Sequence, residues 1–163
     1  MNEEGTIREM VNYCSEIRGR LLGQIVFIEK MIDFYIAKHF CKDDDYAIEL
    51  VDLLLGDRFV SFESKRSVFD ILIKKYNKEY YTDNKSIFED LTYLQTQRNR
   101  YAHLIQDVGE EAVNKFILDK TIGLVKFKEK TEPFWYSREE IIKIENKVKN
   151  VYESLYRLSG GEP

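Results

Sequence analysis

The chain has 163 residues, 25 Lys and Arg against 29 Asp and Glu, a formal net charge of −4, and 44% hydrophobic and 13% aromatic residues. Such a balance describes a folded globular chain long enough to bury a core. It argues against a dedicated duplex-DNA binder, whose basic face would show in the total. Two prolines and eight glycines favour long helices over a strand-rich sandwich.

Cys14 and Cys41 form no disulfide pattern, which suits a reducing cytosol. Met1 to Met10 is acidic and polar, unlike a signal peptide, and no apolar run approaches the ~18 residues of a membrane span. The expectation is a cytoplasmic protein with no membrane partner. It forms a single domain over residues 1–158, with a flexible tail at 159–163.

From Ile7 to Phe40 the apolar residues Met10, Cys14, Ile17, Leu21, Ile25, Ile28, Ile32 and Tyr35 recur at helical spacing. This predicts one long first helix of about eight turns. Val26, Phe27, Met31, Phe34 and Ile36 widen its apolar surface, so it needs more than one neighbour. Gly19 and Gly23, one turn apart, read either as tolerated helix glycines or as a point where a second helix approaches.

Asp43-Asp44-Asp45 is a helix-start signal for a short second helix, Tyr46 to Leu55, stopped at Gly56. Ser61 caps a third, with Val68, Phe69, Leu72, Ile73 and Tyr76 inward. Lys65, Arg66, Lys74, Lys75 and Lys78 face outward as a solvated surface. Asp83-Asn84 punctuates the chain before a fourth helix from about Lys85 to Gln106.

Past Gly109, Phe116-Ile117-Leu118, an Asp119-Lys120 turn and Ile122 to Lys128 read as a small β-hairpin closed by Pro133. Ser137 with Glu140 forms a capping-box signature for a fifth helix. Ile141, Ile144, Val148, Val151, Leu155 and Leu158 line its inner face, and it ends near Ser159-Gly160-Gly161. The fold class is mainly α: about five helices with a hairpin before the last.

Familiar cofactor and metal patterns are missing. There is no phosphate-binding Gly-rich loop, no zinc-type cysteine pairing and no His-Glu-x-x-His. Neither cofactor nor metal is expected. His39 and Cys41, only two soft ligands, read as surface residues or a core thiol rather than a metal site. Attention falls instead on Arg98-Asn99-Arg100-Tyr101-Ala102-His103, near the end of the fourth helix. Ile87, Leu91 and Leu94 fall at steps of four and three, Ala102 and Ile105 continue them, and Arg98 stands where the period asks for Leu. A guanidinium on a core-facing row is costly unless it is paired or opens onto a cleft.

Neutral imidazole can take the proton of an RNA 2′-hydroxyl, and imidazolium can protonate the departing 5′-oxygen. Arginine offers a permanently charged fork to the phosphoryl oxygens. Asn99, one turn before His103, can orient the imidazole or the phosphate. Arg98 and His103 are separated by ~140° and ~7.5 Å along a helix, so two copies facing across a two-fold axis would build a tighter site than one. DNA, lacking the 2′-hydroxyl, would not be cut this way. The plain structural alternative is that Arg98 pairs with a buried or interface carboxylate and His103 is a half-buried helix residue.

These six residues resemble the Arg-x4–6-His motif of the HEPN superfamily, including the polar residue that often follows the Arg. That resemblance implies a HEPN-like helical bundle and a homodimer whose two motifs share one cleft. It further implies a metal-independent endoribonuclease of toxin or defence type, with Arg98 and His103 catalytic and Asn99 in support. RNA would be the substrate and an antitoxin protein a partner. Other members are non-catalytic binding or adaptor modules, which is the alternative. Where members silenced by a nucleotidyltransferase carry Tyr two residues after the His, this chain has Ile105, which argues against control by nucleotidylation. The Lys74-Lys75-Lys78 face and Lys126, Lys128 and Lys130 are candidate backbone contacts for RNA, nothing more specific.

Overall fold

The long apolar stripe produces a single 38-residue helix, α1, Glu3–Phe40. The computed structural model describes residues 3–56, 59–126 and 132–161. Within α1 the inward row is the expected one: Met10, Cys14, Ile17, Leu21, Ile25, Ile28 and Ile32 are all buried. Val26, Phe27 and Phe34 remain exposed, and Ile36 is buried. A Cβ added at Gly19 or Gly23 would meet nothing within 4 Å, so neither glycine marks a close approach within this chain.

Asp43 caps α2, Asp44–Leu50: its carboxylate accepts from the N–H groups of Asp45 at 2.8 Å and Tyr46 at 3.4 Å. A π-helical turn, Val51–Leu55, extends it to Gly56, which closes it in extended backbone (φ −60°) rather than in a left-handed cap. Ser61 caps α3, Phe62–Tyr76, with Oγ accepting from Ser64 N–H at 3.2 Å. Asn77 ends α3, and its side chain accepts from Tyr80 N–H to start α4, Lys78–Asp83, an extra helix that the sequence reading does not contain. Helix α5 runs Lys85–His103, three residues shorter than its apolar pattern implied.

Two residues of strand follow, β1, Ile105–Gln106, then α6, Glu110–Asp119. Strands β2, Ile122–Val125, and β3, Phe134–Tyr136, complete an antiparallel sheet in the order β1-β2-β3. The expected hairpin is thus corrected in one arm. Phe116-Ile117-Leu118 is helical, and Phe116 is buried while Ile117 and Leu118 point out. Lys120 ends α6 in the left-handed region, φ 62°, so Asp119-Lys120 is a turn, but one that stops a helix. Ile122 begins a strand as expected, and its partners are β1 and β3 rather than residues 116–118. Phe127, Lys128 and Lys130 lie outside the described residues.

The capping box forms as read. Ser137 Oγ accepts from Glu140 N–H, and the Glu140 carboxylate accepts from Ser137 N–H, each at 3.3 Å. It opens α7, Arg138–Leu158, whose end is closed by Gly160 at φ 84° and by Gly161 N–H on the Tyr156 carbonyl at 3.0 Å. The described residues therefore hold seven α-helices and a three-stranded sheet, a mainly helical chain with more pieces than five helices and a hairpin.

The chain divides into two compact units. One comprises Met1–Gln24 and Thr96–Asn146, the other Ile25–Gln95 and Lys147–Pro163. In the first, Ile122 and Leu124 of β2, Phe116 of α6 and Tyr136 of β3 are buried with Met10, Ile17 and Leu21 of α1. The core of the second contains Ile28, Ile32, Phe69, Ile73, Leu91, Leu94 and Val151. Cys14 and Cys41 are free thiols. No helix of the described residues is long and apolar enough to cross a membrane.

Candidate functional site

The buried row of α5 runs through Ile87, Asp90, Leu91, Leu94, Gln97 and Tyr101. Arg98 is not on it; its residue is half-buried, and Ala102 and Ile105 are exposed. The row follows a seven-residue repeat, 87–94–101 with 90–97 between, and so turns by ~20° per repeat relative to the 3.6-residue stripe, toward Gln97 and Tyr101 and away from Arg98. Polar residues at two positions of that repeat, Asp90 and Gln97, hide it from a hydrophobicity reading. Gln97 is satisfied in the core: its Oε1 accepts from the Tyr136 hydroxyl at 2.8 Å. The Tyr101 ring packs on that of Tyr136 with centroids 4.9 Å apart.

That shift turns the polar cluster outward. Asn99 and His103 are exposed and Arg98 is half-buried, with Arg98 Nη1 donating to Asn99 Oδ1 at 3.5 Å, the limit of a hydrogen bond. Among the described residues no carboxylate pairs with Arg98, and His103 is exposed rather than half-buried. The helix stays regular to its end, with Leu104 N–H on the Arg100 carbonyl at 3.0 Å. Arg98 and His103 therefore keep the ~140° separation of residues five apart, and one copy does not converge them.

His103 is the last residue of α5 and is held from both sides. Before it, Arg18 of α1 donates to the Tyr101 carbonyl at 2.6 Å, satisfying one of the acceptors a helix end leaves open. Beyond it, β1 pairs Ile105 with Val125 and Gln106 with Leu124. The Gln106 amide also donates to the Met10 carbonyl at 3.2 Å, and Asp107 N–H donates to the Gly123 carbonyl at 2.9 Å. Arg18 also faces Cys14. Burial pushes the Cys14 thiol up, partly offset by the Arg18 charge and hydrogen bond, which keeps that sulfur a protonated core group.

Two further residues at this end of α5 escape a sequence reading. Arg100 lays its guanidinium over the Phe134 ring, with Cζ 4.0 Å from the centroid. Arg18 is missed because it sits eighty-three residues away on a different helix. Phe134 carries a signal, the aromatic run Phe134-Trp135-Tyr136 typical of a strand, but it lies beyond Pro133, where the expected hairpin closes.

The expected basic face of α3 is corrected. Lys65 is fully buried, its Nζ 2.7 Å from Glu29 and 3.1 Å from Asp33, two carboxylates of α1 that are themselves buried. Burial works against the Lys65 charge, yet its hydrogen bonds to both acids outweigh that and hold its pKa above the ordinary value. Burial pushes the Asp33 carboxyl up despite Lys65, and Asp33 Oδ1 has no hydrogen-bond partner. Val68 and Tyr76, expected inside, are exposed, while Lys74 pairs with Asp70 at 2.6 Å.

His39 is exposed, its ring 4.6 Å from that of Tyr76 and 5.1 Å from that of Phe40. Cys41 is half-buried, between the two alternatives. His39 also lines an open cleft of about 670 Å³ in the second unit, with Phe34, Tyr35, Ala47 and Ile48 as apolar wall and the Lys38–Asp44 ion pair (3.7 Å) beside it. No three His, Cys, Asp or Glu side chains among the described residues are grouped to hold a metal ion. No protein-family model, no curated protein and no solved structure matches the chain.

Proposed function

We propose that this chain is an endoribonuclease of the HEPN type, cutting RNA by attack of the 2′-hydroxyl without a metal. The observation carrying this reading is the exposure of His103 and Asn99 beside an Arg98 that no carboxylate of the described residues neutralises. An uncommitted guanidinium at the surface is available to a phosphate, and a neighbouring imidazole can exchange protons with ribose and leaving oxygens. His103 acts as acid and base, Arg98 stabilises charge on the phosphoryl oxygens, and Asn99 orients one of them. Because one helix separates Arg98 from His103 by ~140°, the working site is completed by a second copy across a two-fold axis.

A second reading has its own support. The cleft in the second unit, apolar with a few polar groups, is of the size and lining that small ligands use. It favours a non-catalytic binding or adaptor module. End-labelled RNA incubated with protein and a chelator separates the two readings, with Arg98→Ala and His103→Ala alongside. The nuclease reading expects wild type to leave 2′,3′-cyclic phosphate ends and both variants to be slower by roughly 100-fold or more. Intact RNA with wild type, or equal cutting by all three proteins, overturns it in favour of the binding module. Toxicity on expression that disappears in His103→Ala would agree with cleavage, and an antitoxin partner would then be sought by co-purification.

A further inference from the structure

Arg100 differs from the other cations of the motif helix. Its guanidinium lies over the Phe134 ring at 4.0 Å, and no carboxylate among the described residues binds it. Both residues are half-buried, so the pair is partly open to solvent. A guanidinium backed by an aromatic ring is a flat, pre-oriented, weakly hydrated plate. Such plates, like aromatic rings, are what unpaired bases of RNA stack on. Phe134 is fixed from below, since β3 pairs with β2 by Leu124↔Phe134 and its neighbour Tyr136 is buried against Tyr101. Arg100 precedes His103 by three residues, so the two are neighbours on the helix surface, their Cβ atoms roughly 5–6 Å apart.

We infer that the Arg100–Phe134 stack is a seat for one unpaired nucleobase of single-stranded RNA, placed beside His103 so that the adjoining phosphodiester meets the imidazole. This rests on the nuclease reading and adds to it a named contact: one base held on Arg100 and Phe134 beside the cut. Arg100 contributes here by its plane, which is why Lys cannot replace it, whereas at a simple phosphate contact Lys would serve.

The test is the cleavage rate of a single-stranded oligoribonucleotide and of copies with one abasic ribose on either side of the cut, by wild type, Arg100→Lys and Phe134→Leu. Both variants keep charge or apolar bulk, and thermal melting confirms that they are folded. On the intact strand, kcat/KM is expected to fall roughly five- to a hundredfold in each variant. One abasic position should cost wild type a similar factor and cost Arg100→Lys little more, because the lost stack is the same. If both variants cut the intact strand like wild type, or if the abasic penalty is equal in wild type and Arg100→Lys, no base sits on Arg100. With Arg98→Ala still inactive in the same assay, that result leaves the nuclease standing and removes only the base seat. Failure of wild type to cut any RNA removes both.

Discussion

Two polar clusters, one in each unit, handle charge in opposite ways. In the second unit Lys65, Glu29 and Asp33 are buried together, with Lys65 bound to one oxygen of each acid at 2.7 and 3.1 Å and Asp33 Oδ1 left over. In the first, Arg98, Asn99 and His103 stand in or near solvent with a single marginal contact among them. A buried triad has little freedom to act on anything outside: its charges are spent on one another, and removing a partner strands the rest in low dielectric. The exposed cluster is inexpensive to keep and unsatisfied, and so is free to meet a ligand. Polar residues that hold a fold and polar residues that do chemistry are told apart by what already binds them.

The largest expected effect breaks the first cluster. Lys65→Met leaves buried Glu29 without its cation and Asp33 with only the more distant Lys30 at 3.6 Å, and should lower unfolding free energy by about 3–5 kcal/mol, read by urea denaturation. A variant as stable as wild type would mean the triad is solvated. Arg98→Ala comes next and acts on the second cluster. It should slow RNA cleavage by roughly 100- to 1,000-fold, as loss of one donor to developing charge does.

A smaller effect is set by pH. The folded pKa of Asp33 is raised by burial above its ordinary value of 3.8, so its contribution to stability is complete below that value and is lost as pH climbs through the raised one. Wild type should therefore lose stability over that interval relative to Asp33→Asn, which has no carboxyl to ionise there. Parallel denaturation curves across the interval would remove the assignment. Least of all, Arg98→Ala should change stability by under about 0.5 kcal/mol, since among the described residues its charge has no ion-pair partner. A larger loss would place Arg98 with Lys65, as a structural ion.

Capping chemistry made much of this architecture legible. Asp43, Ser61 and the Ser137–Glu140 box each start a helix where their side chains satisfy open N–H groups, and the apolar stripe of α1 holds over its length. Two kinds of residue resisted. Lys65 looks like any surface lysine, because the carboxylates that make its burial tolerable are more than thirty residues away on another helix. Gln97 is polar yet core-facing because of the Tyr136 hydroxyl, and without it the row seemed to pass through Arg98. Long-range partners decide burial for polar side chains, and one-dimensional periodicity carries no record of them. The composition of the motif at 98–103 was legible, but its reason for standing out, a core-facing Arg98, was not the one the structure gives.

Gly123 has an experimental consequence. A Cβ there would lie 2.8 Å from Trp135 Cζ3, so the indole rests directly on bare backbone of the neighbouring strand, with Lys115 Nζ 4.2 Å from the ring. It is the only tryptophan in the chain, and it belongs wholly to the first unit. Selective indole excitation is therefore a private optical channel to that unit. Emission will follow its sheet as it melts, and differences from the whole-chain helical signal will reveal whether the second unit unfolds with it or alone.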